Sequence, residues 1–578
     1  VIPSFSASNQ ATHRRFVVSS FESKPPPMPA RRRVYEPPEP SGARLIEPPI
    51  VPAPGTGSIQ ALVDNNHVLR MGLDLAIGDM RLHELVAATR RELLMVASEY
   101  TGSYRDVNRP SNMAEWIARP LVVGGHQPEL FHPGVWLKNS VLDAYARQVG
   151  GTAVNLIIDS DRCGRSAVDV PVGTPSAAHF EELPFDAPAA MPWEERRIVD
   201  QSVFESFGNR AADMLAPLVP DPIVRRWWPA VVERAKASHR LGLAIAQGRH
   251  LLEERFGLET LEVPVSELVR LPTVMVFTGW LLAHSRQLHD AYNAALATHR
   301  QARRVRSIGR PMPDLAVHQD TAGTWFEVPW WIWSRDDPRR RRMFAQLAMP
   351  DALALSDLET IRVELPISPQ TSPAKWIDGL SRLEEHGYRL RPRALVTTLM
   401  ARLLFADVFV HGIGGAAYDS ITDDIVRRLV GSDPPRYAVA SATLRLPLEP
   451  VFAGIEKADP TGDLAAVRRT LRDIAYHPER HLANGDGQSA EVRALVASKQ
   501  EWVKTVATPE LARRRCHEIR AANRLLVGHA GGMIRDLEAQ AGELQEARKA
   551  RGVLQARTHP WCFFPEKTLR DLLLLENG

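Results

Sequence analysis

The sequence predicts an α/β protein whose open parallel sheet is split by helical insertions and followed by a C-terminal helical hairpin. Two apolar runs, Leu121–Val123 and the one in ADVFVHGIGG at 406–415, each enter a glycine turn and then a helix and a second strand. Between them lies a long helical stretch, and near the C-terminus apolar residues recur every seven positions. Strand, helix, strand units of this length carry right-handed crossovers in parallel sheets.

The N-terminal segment 1–56 holds twelve of the 45 prolines, in runs such as SKPPPMPARRRVYEPPEP. Such a composition buries too little apolar surface to offset its ordering entropy, so a disordered tail is expected there. From 57 to 200 the first half of the core is expected. Helical spacing from about 57 to 102 leads into Pro120 and the strand, Pro133 starts a helix that ends at Gly150-Gly151, and TAVNLIIDSD supplies the next strand. A mainly helical insertion is expected over 201–350, ending in TWFEVPWWIWS, where alternation around Pro329 predicts an edge strand or two short strands. The second half of the core is placed at 351–455. There RALVTTLMARLLF and AAYDSITDDIVRRLVG read as helices, and ADVFVHGIGG and RYAVASATLRLPL as strands.

The last region, 456–578, reads as a helical coiled-coil arm with an anchor. Ile519, Leu526 and Met533 form one heptad series and Ala530, Leu537 and Leu544 its companion. The first limb uses Val492, Leu495, Trp502 and Val506, and the bend falls near Thr508-Pro509. The closing HPWCFFPEKTLRDLLLL is expected to pack back on the body.

Bulk properties exclude several classes. A net charge of +3 is too small to argue for nucleic acid or an acidic membrane. No run of about 18 apolar residues exists to span a bilayer. Cys163, Cys516 and Cys562 are scattered and form neither a disulfide framework nor a thiolate zinc site, which predicts a cytoplasmic protein. His477, His481 and His529 lack metal-ligand spacing, and no GxSxG, Walker or GxGxxG sequence occurs.

The chemistry concentrates in VVGGHQPELFHPGVWLKN, residues 122–139. Ligands of open parallel sheets sit at the carboxyl ends of strands, where helix N-termini present unpaired N–H groups. Gly124 and Gly125 let an anionic group approach the backbone, and His126, Gln127 and His132 add donors. Lys138, one and a half turns into the helix, reaches the same mouth or points to solvent, and Gly134 is a further candidate contact. Asp159 and Asp161, two residues apart at the next strand's end, are candidates to orient an amine or Mg²⁺, or to cap a turn. His411, Gly412, Gly414 and Gly415, with Asp419 a helical turn later, repeat the pattern. His126, Asp159 and Asp161 are the candidate catalytic residues, and the others are the candidate substrate or phosphate contacts.

These two blocks resemble the cysteine-adding enzyme family of bacillithiol biosynthesis. The matching positions are Gly125-His126-Gln127, Pro133-Gly134, Lys138 and Asp159-Ser160-Asp161, then Gly412, Gly414 and Gly415 in the later turn. His126 stands where the family carries glutamine, and Gly-Ile-Gly-Gly replaces its Gly-Pro-Gly-Glu. The resemblance implies a nucleotidylyltransferase-like (HUP-type) Rossmann core with a coiled-coil arm, acting as a ligase or transferase on small amine- or carboxylate-bearing molecules. His126-Gln127-Pro128 and Lys138 are also similar to the WbqC-like group, and His132-Pro133-Gly134 echoes the HxGH motif, with Val135 in its last place. ATP or ADP with Mg²⁺ is the candidate cofactor set and a small molecule the expected substrate. A homodimer through the arm is the expected assembly, and the opposing reading is a non-catalytic binding or dimerising scaffold.

Overall fold

A six-stranded sheet organises the body. Its strands are β1 (Gly42–Ile46), β2 (Leu121–His126), β3 (Thr152–Ile157), β4 (Leu261–Pro264), β5 (Val408–His411) and β6 (Tyr437–Thr443), in the order β1-β6-β5-β2-β3-β4. β2 to β6 are all parallel, and only β1 pairs antiparallel, on β6. The computed structural model describes residues 42–46, 59–307, 309, 311–321, 323–448, 460–482, 489–506 and 508–574. Of the tail expected at 1–56, only β1 is described, and it is a sheet strand where disorder was expected. The rest of that tail lies outside the described residues.

From β2 the chain steps outward through β3 to β4, then returns to lay β5 against the other side of β2 and continues to β6. That is a doubly wound, Rossmann-like order, and its direction reverses between β2 and β5. Leu137, Val141 and Leu142 of the helix Pro133–Gln148 cover one face of the sheet together with Leu62 and Val63 of Ile59–Met71. Leu93 of the helix Leu82–Gly102 and Ile421 and Ile425 of Ile413–Val430 belong to the core on the other face.

A buried carboxylate ties the reversal together at its amino end. Asp407, just before β5, accepts from the Leu121 N–H at 2.7 Å, from Arg90 at 2.7 Å and from Arg70 at 2.9 Å. Burial opposes ionisation, but the Arg90 and Arg70 charges outweigh it and hold the carboxyl below its ordinary range. Asn66 braces the same corner, donating to the Asp407 and Arg436 carbonyls.

A second, antiparallel sheet follows the helices Pro272–Ala283 and Ser285–Arg303. The Trp-rich segment is one strand, Gly323–Ser334, and it lies inside this sheet between Arg341–Met349 and Tyr388–Pro392. The edge-strand expectation from Pro329 is corrected: pairing with Arg341–Met349 shifts register between Val328 and Trp331, so the proline sits in a bulge where no ladder N–H is required. The sheet runs across position 350, with Arg341–Met349 paired to Ala352–Ser356.

The C-terminal region contains the helices Pro460–Tyr476, Ala490–Lys504, Leu511–His529 and Gly531–Leu554. Leu526 and Ala530 are buried with Ile474, Leu482 and Val492, while Met533 is exposed. Helical phase is interrupted at Ala530, so the heptad series does not continue as one buried stripe. The closing anchor packs on the body as expected. Trp561, Cys562, Phe563 and Phe564 are buried, the Trp561 ring lies tilted against Trp136 with centroids 4.2 Å apart, and the Trp561 backbone N–H donates to the Phe131 carbonyl at 2.9 Å. That bond fixes the loop after β2. No helix among the described residues is long and apolar enough to cross a membrane.

Candidate functional site

In a doubly wound sheet the reversal of strand order marks a crevice at the carboxyl edge, and here that place lies between β2 and β5. Only one of the two expected glycine turns forms there: Gly124 and Gly125 stay inside β2, paired with Asn155 and Leu156 of β3, and the strand runs on to His126, whereas Gly412 caps the helix after β5. Gly124 and Gly125 are in close contact with their neighbours. A side chain on Gly124 would meet Leu142 at 3.2 Å and the Val410 carbonyl at 3.3 Å, and one on Gly125 the Leu156 carbonyl at 3.0 Å. Gly134, in the first turn of the helix Pro133–Gln148, would push a Cβ to 2.2 Å from the Ala442 carbonyl. Only glycine lets that helix start against the end of β6. His132 is its N-cap, and Nδ1 accepts from the Gly134 N–H at 3.1 Å.

Lys138 lies in the middle of this arrangement. It is buried, its Nζ donates to the Gly125 carbonyl at 2.8 Å, and a side chain on Gly412 would meet its Cδ at 3.8 Å. Burial, then the Arg249 charge, lowers its pKa from 10.5 to about 8. No carboxylate pairs with this ammonium among the described residues. His126 Nδ1 lies 3.1 Å from the Gln127 carbonyl, and its ring packs edge-on to Phe131 at 4.9 Å. Although the side chain keeps some surface, burial and then the Lys138 charge pull the imidazole down to about 3, and His132 is drawn by burial and Arg557 to about 4. Both rings are therefore neutral donors or acceptors near pH 7.

The two aspartates part company. Asp159 turns inward, accepting from the Ser266 N–H at 2.9 Å and from its hydroxyl, and is almost wholly buried. Burial and the Glu194 charge push its carboxyl above the ordinary range. Asp161 faces the turn instead: Gln127 Nε2 donates to it at 2.8 Å and Arg340 at 2.6 Å. Burial opposes its ionisation, but the Gln127 bond and the Arg340 charge hold it ionised. The structure does not bring the pair together as one chelate. Asp161 positions Gln127, and Asp159 fixes the start of the segment after β4.

On the far wall, His411 ends β5 and its Nε2 meets Asp419 at 3.0 Å. Asp419 also accepts from Arg402 at 2.6 Å, and despite its burial those charges keep it strongly acidic. Gly412 is the N-cap of the helix Ile413–Val430. A Cβ on Gly415 would strike His411 Nδ1 at 2.7 Å, whereas Gly414 has open space around it. His411 and Asp419 thus brace the turn from behind, and Gly412 and Gly414 present its backbone to the crevice.

Several contributors were not visible in the sequence. Asn139, Asn155 and Arg249 line, with His126 and Gln127, a cavity of about 10 Å³ beneath the turn, room for about one water molecule. Arg340 bonds Asp161 while its guanidinium stacks 4.9 Å from the Trp331 ring. Arg340 reaches Asp161 across 179 residues, and Arg249, besides its i,i+4 neighbour Glu253, reaches Glu262 thirteen residues on, across to β4. No family model and no curated protein matches the chain.

Proposed function

We propose that the chain is a ligase or transferase that binds a small molecule through its carboxylate or phosphate at this crevice and joins or activates it there. One observation carries the reading. Lys138 is a buried ammonium without a carboxylate partner among the described residues, and an uncompensated buried charge is costly unless an anion shares the site. The start of Ile413–Val430 adds unpaired N–H groups to the same crevice. His126 and Gln127 complete the anion's hydrogen bonds, and the Gly412–Gly415 turn closes the other wall.

The finer identity, a HUP-type core with a coiled-coil arm and cysteine-ligase-like chemistry, rests on the sequence resemblance. ATP or ADP with Mg²⁺ belongs to the same proposal. Because Asp159 is engaged with Ser266 and Asp161 with Gln127 and Arg340, the Mg²⁺ would be carried chiefly by the nucleotide phosphates. The test is a thermal-shift panel of ATP, ADP, CTP, cysteine, amino sugars and Mg²⁺ on the full chain beside His126→Ala. A compound that raises the wild-type midpoint and not the variant's supports the site. No shift with any compound removes the nucleotide and amine readings.

The scaffold reading has an observation of its own. Val503, Leu525 and Met533 are exposed on the C-terminal helices, and Val506 in the connection after Ala490–Lys504, which favours a homodimer through the arm. Leu526 is buried in the arm's own core, so Leu526→Asp reports on folding; Met533→Asp with Val506→Asp tests assembly. Sedimentation that gives a monomer for the wild type refutes the dimer.

A further inference from the structure

We propose that His250, Glu253 and Glu262 hold a divalent transition-metal cation, Zn²⁺, Mn²⁺ or Fe²⁺, in the layer beneath the crevice. His250 and Glu253 lie one turn apart on the helix Leu241–Arg255, and Glu262 lies on β4. All three are fully buried, and one donor atom from each lies within 4.8 Å of the other two. Metal to nitrogen or oxygen distances near 2.0–2.2 Å place ligand atoms roughly 3 to 4 Å apart, so small side-chain shifts would close the site. One imidazole with two carboxylates suits these ions better than Mg²⁺ or Ca²⁺, which take oxygen alone.

The hydrogen bonds leave one oxygen of each carboxylate without a strong donor, while His250 Nδ1 lies 2.7 Å from the Tyr104 hydroxyl. His250 Nε2 lies 2.9 Å from the Thr260 carbonyl, which can only accept, so Nε2 carries the proton and Nδ1 presents its lone pair. A histidine held through its other nitrogen by a main-chain carbonyl is the usual outer support of a metal ligand. Arg249 donates to Oε1 of both Glu253 and Glu262. Asn139 and Trp136 add bonds to the first Oε1, and Asn155 to the second. Every strong donor therefore goes to Oε1. Glu253 Oε2 is buried with no hydrogen-bond partner among the described residues, and Glu262 Oε2 has Tyr104 at 3.5 Å and His250 Nδ1 at 3.7 Å.

Charge points the same way. Arg249 balances one carboxylate, and no other guanidinium or ammonium is paired with either among the described residues. One negative charge is left in a water-excluded layer. A proton on Glu253 Oε2 would answer the charge but would itself find no acceptor in reach. A divalent cation would take up the unpartnered oxygen and remove the uncompensated negative charge, leaving the cluster with a net charge of +1. Tyr104, whose hydroxyl is 2.7 Å from His250 Nδ1, would turn aside as the ion enters.

The test is independent of ligand binding at the crevice. Full chain grown with Zn²⁺, Mn²⁺ and Fe²⁺ supplements is assayed for metal by mass spectrometry, and chain refolded with Co²⁺ for visible absorption. We expect about one equivalent per chain, a cobalt band, and loss of both in Glu253→Gln and His250→Gln. A wild type that stays metal-free after growth and after refolding with each ion, and shows no cobalt band, overturns the proposal. If the variants fail to fold, metal content and the cobalt spectrum of the wild type still decide.

Discussion

Lys138 Nζ donates to the Gly125 carbonyl at 2.8 Å, joining the helix that leaves β2 to the strand's own last residues. The bond satisfies one of three ammonium donors, and nothing acidic is paired with the charge among the described residues. Stability and binding are therefore set against each other at one residue.

Lys138→Met should make the folded chain more stable at pH 7. Burial, then Arg249, lowers the folded pKa from 10.5 to about 8, so the unfolded state binds more protons between those values. The penalty is complete below pH 8 and fades as pH rises toward 10.5. A shift of this size corresponds to about 3 kcal/mol as an upper scale. Urea denaturation at pH 7 and pH 10 reads it: the variant's advantage should be clear at the first and nearly gone at the second. The same variant should lose all ligand-induced stabilisation.

Ligand affinity should be flat with pH from 5 to 7.5. His126, drawn by burial to about 3, and His132, drawn to about 4, are neutral throughout, so neither contributes a titrating charge. Above about pH 8 the ammonium is lost, and affinity for an anion should fall by up to about tenfold per pH unit. Titration calorimetry with whichever panel compound binds checks this. Affinity that climbs below pH 6.5 would mean that an imidazolium does the binding.

Two glycines in equivalent-looking turns should behave oppositely. Gly134→Ala puts a Cβ 2.2 Å from the Ala442 carbonyl, a backbone atom that cannot swing away, and should cost about 1–3 kcal/mol. Gly414→Ala meets open space inside a helix and should gain up to about 1 kcal/mol. Chemical denaturation of both variants decides. If Gly414→Ala is stable yet abolishes ligand stabilisation, the ligand lies against the bare backbone of that turn.

The parallel units were legible because each is local. β2, the helix from Pro133, and β3 announce themselves through an apolar run, a proline start and a glycine stop within about forty residues. The glycine pair misled: Gly124 and Gly125 stay in the strand ladder with Asn155 and Leu156, and the chain leaves the sheet only after His126. What escaped depends on distant partners. Nothing near Arg340 signals Asp161, and nothing near Asp159 signals Ser266, 107 residues on. The Trp-rich strand misled because Pro329 argues for an edge until the bulge that accommodates it is seen. The heptads misled because Ala530 interrupts the helix that was to carry them as one stripe.

Asp407 offers the sharpest test of what holds the crevice open. It sits at the amino end of β5, far along the strand from His411, and binds the first N–H of β2 together with Arg70 and Arg90. Removing it with Asp407→Ala leaves two guanidiniums buried against each other and an amide N–H without its acceptor. Breaking a buried pair from one side costs about 3–5 kcal/mol. Asp407→Asn keeps the shape and can still accept from Leu121, so it should lose less. Both losses should shrink as pH falls through the lowered folded pKa, because the carboxylate's contribution is present above its unfolded value and fades as it protonates. If Asp407→Ala unfolds within about 0.5 kcal/mol of the wild type, β2 and β5 are held by packing alone and the tether is dispensable.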